Sequence, residues 1–428
     1  MDLLRLATAG SVDDGKSTLI GRLLYETGSV TQDKLDAIDA ASRRRGADGL
    51  DLSLLTDGLI AEREQGITID VAHVYFATPK RRFIIADTPG HIEYTRNMVT
   101  GASTASVSVI LIDARNGLVE QTHRHYFISA LLRIPTVVVC VNKMDLVGYA
   151  QDRFDEIADA FRQMAAPVQP EGQVLHIMPV SSLHGENVTR PSPHLSWYTG
   201  PTLLDLLENA DTHQRRTLPA RLQVQRVLRP RSEAARDVRA YAGRIASGTF
   251  SVGDEVVILP GERRSRIAGL SHLGADVSHA EAGASVTVHL ADDVDAGRGS
   301  LIAPADAAPI ARQQVDATVC WLDEQPLRQG RTYLLQHGVH RVRARVVAIS
   351  GLIDVTTLRV IAPPPELRLN QLATISLKLS EPVHADAYAD NPPNGAFILI
   401  DPDTSSTAGV GFVAAADAPV LHDAQQEN

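Results

Sequence analysis

The chain has 428 residues, more than one ordinary domain holds, and 44% hydrophobic residues, enough for two or three domains to bury separate cores. Its 41 basic and 51 acidic side chains leave a net charge of −10, which argues against a broad nucleic-acid footprint. Only Cys140 and Cys320 are present, no apolar run approaches the ~20 residues of a membrane helix, and "MDLLRLATAG" leads straight into a glycine motif, so the expectation is a cytoplasmic chain without disulfide framework, cysteine metal site, signal peptide or membrane span.

In chain order, "LLRLATA" is a branched apolar run that predicts a strand, and "GSVDDGKST" follows it directly. Residues 10–18 fit G-x-x-x-x-G-K-[ST], a loop whose backbone amides cradle phosphates before a helix that aims its N-terminus at the anion. The predicted phosphate contacts are Gly10, Ser11, Val12, Asp13, Asp14, Gly15, Lys16, Ser17 and Thr18, with Lys16 reaching the terminal phosphates and the Ser17 hydroxyl holding Mg²⁺. "KSTLIGRLLYE" predicts the helix. The "RRR" at 43–45 is a solvated face or a partner contact. Within "AEREQGITID", Thr68 is the candidate second Mg²⁺ ligand, placed to sense a terminal phosphate and to release its loop once that phosphate is lost.

The strand "RRFIIAD" ends in "DTPGH", which adds Asp87, Thr88, Pro89, Gly90 and His91 to the phosphate set. Asp87 would hold the metal through water, the Gly90 amide would meet the terminal phosphate, and His91 would orient the attacking water. The predicted catalytic residues are therefore Lys16, Thr68 and His91, and the metal ligands Ser17, Thr68 and Asp87. After "SVSVILID" and the helical "QTHRHYFISALL", the strand "TVVVCVNK" delivers "NKMD" at 142–145. Asp145 can accept from the guanine N1–H and exocyclic amine, a donor pair that adenine lacks. Asn142 would tie this loop to the phosphate loop, Lys143 would cover the base, and Met144 is counted with them in the guanine-binding set. "VLHIMPVSS" then supplies Ser181, Ser182 and Leu183, whose amides suit the guanine O6. All four motifs sit at carboxyl ends of strands, where open α/β sheets bind ligands.

Strand–helix alternation predicts a doubly wound, mostly parallel sheet over residues 1–212. Beyond it, recurrent turns such as "SGTFSVGD" and "NPPNGA" predict two antiparallel β-barrels, at 213–310 and 311–415, with a tail at 416–428.

"AEREQGITID", "DTPGHIEYTRNMVTGAST" and "NKMD", with the three-domain layout, resemble translational GTPases of the elongation-factor type. "GSVDDGKSTLIGRLLYETGSV", "DGLIAEREQGITIDVAHVYFATPKRRFIIADTPGH" and "WYTGPTLLDLLE" are similar to the GTPase subunit of bacterial sulfate adenylyltransferase. That resemblance implies GTP and Mg²⁺ as cofactors and a smaller catalytic partner that joins sulfate to AMP from ATP. It implies no nucleic-acid partner. The alternative is a factor that delivers aminoacyl-tRNA, which shares the four motifs but usually carries histidine or alanine where Asp14 stands. The sequence contains no second phosphate loop of the kind found where relatives are fused to a kinase.

Overall fold

The computed structural model describes residues 2–44, 50–55, 72–88, 95–211, 217–229, 239–355, 357 and 359–415. The chain divides near residue 212 into two compact units.

The first unit is a six-stranded sheet of order β2-β3-β1-β4-β5-β6. Its strands are β1 (Leu3–Ala9), β2 (Ala72–Ala77), β3 (Arg82–Asp87), β4 (Val107–Asp113), β5 (Thr136–Asn142) and β6 (Val174–Pro179). All neighbours are parallel except β2, which pairs antiparallel with β3 at the edge. The runs in β4 and β5 are continuously apolar because both faces are covered. Val107, Val109, Leu111, Val138 and Cys140 pack with Leu19, Ile20 and Leu23 of the helix Lys16–Glu26 (α1). The alternate residues Ile110, Ile112, Val137, Val139 and Val141 pack with Tyr126, Phe154, Ile157 and Phe161 on the opposite face. Strand β1 lies between β3 and β4, where the strand order reverses, so the loop after it opens at the switch point of the sheet.

Two stretches hold elements that were not anticipated. The stretch after α1 forms a helix at Gln32–Arg44 and a short 3₁₀ turn at Leu52–Leu55. Only one stripe of that helix is buried, at Ile38 and Ser42, and Arg43 lies exposed against Asp39 at 2.7 Å. Strand β2 is the other.

The second unit holds two barrels, each a closed ring of six main strands. The first ring runs Glu255–Leu259, Leu301–Pro304, Arg221–Gln223, Ala240–Ser247, Ser285–Leu290, Arg263–His272 and back to the start. The second runs Thr332–His337, Ala396–Ile400, Thr407–Val413, Ala311–Trp321, Leu372–His384, His340–Asp354 and back. Ring closure pairs each of these six main strands on both sides. Each barrel has its own core, around Tyr241, Phe250 and Ile302 in one and Trp321, Tyr333 and Leu377 in the other.

A polar seam joins the barrels. Arg221 grips Asp386 with two hydrogen bonds of 2.8 and 2.9 Å, and Asn394 donates to the same carboxylate at 2.9 Å. Arg221 is only 3% exposed, so losing Asp386 would strand a buried charge at a cost of about 3–5 kcal/mol. Gln223 accepts from the Val339 amide at 2.8 Å, and a Cβ at Gly338 would overlap the Gln223 side chain.

Among the described residues no helix is long and apolar enough to cross a membrane. Cys140 and Cys320 are buried free thiols, and burial pushes both up to about 12.

Candidate functional site

Three loops meet at the carboxyl ends of β1, β5 and β6. The loop after β1 turns through Asp13 at φ 70° and Gly15 at φ 92°, left-handed values that glycine adopts without strain. A Cβ at Gly15 would come within 2.5 Å of Asn142 Nδ2, so the close approach of the second loop also demands glycine there. Gly15 caps α1, and its carbonyl accepts from the Leu19 amide at 2.9 Å.

Asn142 joins all three loops. Its Nδ2 donates to the Asp14 carbonyl at 2.7 Å, while its Oδ1 accepts from the Ser182 amide and hydroxyl, both at 2.9 Å. Lys143 reaches back to donate to the Asp13 carbonyl and pairs with Asp113 at 3.0 Å. Ser181 Oγ donates to Asp145 Oδ1 at 2.6 Å, which fixes the carboxylate and leaves Oδ2 3.9 Å from His184 Nε2. The rim beyond is fastened from α1, where Arg22 Nε donates to the Ser182 carbonyl at 3.1 Å and Nη2 to that of Leu183. Met144 is fully buried and packs in the core, so it contributes support from below.

On the phosphate side, Lys16 Nζ lies 3.0 Å from Asp87 Oδ1, which also accepts from the Thr8 hydroxyl at 3.0 Å. Thr88 Oγ1 donates to the Thr8 carbonyl at 2.6 Å, so β3 and β1 are laced together just before the loop. Val12 is exposed, and Ser17 and Thr18 are partly exposed at the start of α1. Thr68, Pro89, Gly90 and His91 lie outside the described residues.

These groups suit a phosphate chain and its metal. Ser11 Oγ is buried without a hydrogen-bond partner, a donor available at the floor of the loop. The hard oxygens of Ser17 and Asp87 match Mg²⁺, which takes one or two protein ligands and completes its shell with water and substrate phosphates. No cluster of three acidic, histidine or cysteine ligands exists among the described residues, and such an ion needs none.

Sequence reasoning missed two groups. Asp113, at the end of β4, lies beneath the guanine-side loop. Burial would raise it, but Arg115 at 2.6 Å and Lys143 outweigh that and hold it at about 2. A carboxylate closing an apolar strand was the one available signal. Asp14 was assigned to phosphates, yet its carboxylate turns inward and accepts from the Ser11 amide at 2.6 Å. Burial lifts it from 3.8 to about 6, the negative Asp113 nearby adding to the effect while the Ser11 amide and Lys143 oppose it.

A folded-state value above the unfolded one means that the native chain holds its proton longer, so stability is fullest below pH ~4 and is lost as pH rises through about 6. Asp14→Asn keeps the acceptor for Ser11 and removes the charge. It is expected to stabilise the nucleotide-free chain by up to about 3 kcal/mol above pH 6 and by little near pH 4. Urea unfolding at a series of pH values checks this, and a gap independent of pH would contradict it.

Residues 1–215 match the model of the elongation factor Tu GTP binding domain, and residues 314–414 that of the GTP-eEF1A C-terminal domain-like family. The fold and the site thus define a GTPase of the translational superfamily. The chain is 50% identical over 413 residues to a bifunctional enzyme CysN/CysC of Mycobacterium tuberculosis, covering 96% of this chain and 67% of the relative. It is 47% identical over 414 residues to a sulfate adenylyltransferase subunit 1 of Vibrio atlanticus and 45% to one of Aeromonas hydrophila, covering 96% of this chain and 86% of each relative. The chain belongs to this family, that of sulfate adenylyltransferase subunit 1 and CysN. A solved structure of sup35 complexed with GMPPNP aligns at 22% identity with a TM-score of 0.44, covering 97% of this chain and 94% of that one.

Proposed function

We propose that this chain is the GTP-hydrolysing subunit of a sulfate adenylyltransferase, working with a second subunit that transfers the adenylyl group of ATP to sulfate. That transfer yields adenosine 5′-phosphosulfate and pyrophosphate, and the phosphosulfate anhydride is strongly unfavourable to form. The observation that carries this reading is the extent of the likeness. Identity of 45–50% runs over 96% of the chain, through both barrels, whereas a shared GTP-binding domain alone would account for residues 1–215. The tRNA-delivery reading shares the GTP-binding domain and the eEF1A-type C-terminal domain, but not this level of identity over the whole chain.

In this reading Lys16 places its charge on the β- and γ-phosphates, with the amides of residues 10–18 around them. Asp145, preset by Ser181, accepts from the guanine edge, and Lys143 lies along the base. Ser17, Asp87 and Thr68 would hold a magnesium ion, which when bound would supply positive charge beside the phosphate oxygens. Gly90 meets the terminal phosphate and His91 orients water. Hydrolysis can drive the neighbouring reaction only if the partner makes different contacts with the two nucleotide states. Free buried thiols suit a reducing cytoplasm.

The test mixes this chain with the adenylyl-transferring subunit, ATP and sulfate, and follows pyrophosphate and phosphosulfate. GTP is expected to raise the phosphosulfate yield, and a non-hydrolysable analogue to leave it low. Equal yields with and without GTP, or retention of aminoacyl-tRNA in place of the second subunit, would overturn the proposal.

A further inference from the structure

On the strand His340–Asp354 the residues Val342, Ala344 and Val346 point into the core of the second barrel, so Arg341, Arg343 and Arg345 project outward and are exposed. Alternate residues on a strand are about 7 Å apart, so these form a straight cationic row. Lys378, exposed on Leu372–His384, is the direct cross-strand partner of Arg345. The partners on the other side are Thr332, Leu334 and Gln336, none of them acidic. Arg341 donates to Gln336 Oε1 at 2.5 Å, a neutral acceptor. Among the described residues no ion pair engages Arg343, Arg345 or Lys378. The nearest acids by register are Asp316, which accepts from Ser376, and the exposed Glu381 farther along the Lys378 strand.

Like charges directly opposed on a sheet destabilise it. The Arg345–Lys378 pair therefore works against the fold, in a chain whose net charge is −10. The row lies on the outside of a closed barrel, a convex surface that offers a small anion contact on one side only. Its outward neighbours Thr332, Leu334, Gln336, Ser376 and Ser380 include no aromatic ring on which a base could stack. A nucleic-acid strand, charged along its whole length, would run past this short row onto a chain of net charge −10, whereas a folded partner need present carboxylates only to the row. A folded surface rich in carboxylates fits what remains: it is steered to this row and kept from other faces by the same field.

We propose that the outward face formed by Arg341, Arg343, Arg345 and Lys378 is a docking surface for an acidic face of the adenylyl-transferring subunit. This rests on the function proposed above. The test measures the affinity of the intact chain for that subunit by calorimetry at several salt concentrations, comparing wild type with Arg343→Glu/Arg345→Glu and Arg343→Gln/Arg345→Gln. Charge reversal is expected to weaken binding on the order of 10–100-fold, neutralisation less, and the reversed variant to lose the wild-type salt dependence. GTP hydrolysis by the isolated chain should be unchanged in both variants, which shows that they are folded. Unchanged affinity and salt dependence would overturn the docking surface and leave the function standing. A wild-type chain that does not bind the subunit at all would overturn both. Reversal that instead abolishes self-association or RNA retention would assign the row to another partner and overturn the proposal.

Discussion

Replacing Lys16 by alanine is expected to lower GTP turnover by about 10²–10³-fold, the usual loss when one preorganised group facing a developing charge is removed. The effect should reach further than catalysis. Lys16 and Asp87 are both almost fully buried and lie 3.0 Å apart, so Lys16→Ala leaves the carboxylate with the Thr8 hydroxyl as its remaining described side-chain partner. Breaking such a pair from one side costs about 3–5 kcal/mol. The nucleotide-free variant should therefore unfold at lower denaturant as well as hydrolyse slowly. The double change Lys16→Ala/Asp87→Asn separates the two effects, restoring much of the stability while turnover stays lost. Single-turnover hydrolysis together with urea unfolding checks both. Undiminished hydrolysis in Lys16→Ala would remove this loop from the reaction.

Asp145→Asn is expected to invert the base preference. The carboxylate is held by Ser181 at 2.6 Å and offers two acceptor oxygens to two guanine donors. Hydrogen bonds to a charged group contribute about 1.5–3 kcal/mol each, so affinity for GTP should fall on the order of 10²–10⁴-fold. An asparagine presents one acceptor and one donor, the pattern that matches xanthine, whose O2 replaces the guanine amine. Xanthosine triphosphate should then bind more tightly than GTP, and competition binding against a fluorescent nucleotide reads the ratio. Because Ser181 can donate to an amide oxygen as well, the loop keeps its shape, and a loss of both nucleotides would point to misfolding instead.

The convergence of the candidate loops at the strand ends was legible because each motif is local. Residues 10–18 and 142–145 need only a strand before them to be read, and β1 and β5 are rich in apolar residues, with Arg5 the one charged side chain between them. What escaped was either weakly patterned or long-range. Strand β2 buries only Phe76 on an exposed edge, so neither a continuous apolar run nor a fully buried alternation marked it. The helix Gln32–Arg44 intersperses its few apolar residues among charges, and only Ile38 and Ser42 are buried among its described side chains. Recurrent turns pointed to barrels, but which strands close each ring did not follow from them. Ala311–Trp321 pairs with Leu372–His384 across some sixty residues, and Arg221 meets Asp386 across 165. Asp14 was readable as part of a motif, and the Ser11 amide that turns its carboxylate inward is local, but its burial and the opposing charges of Asp113, at the end of β4, and Lys143, just after β5, come from distant parts of the chain.

The Asn142 side chain is clamped at both ends, to the Asp14 carbonyl on one side and to Ser182 on the other. One amide thus splices the segment proposed to judge the heterocycle to the segment proposed to grip the charged tail. Neither can shift alone. An impostor with the wrong ring would then be felt at the scissile end, so errors at the base should surface as slower chemistry as well as looser holding.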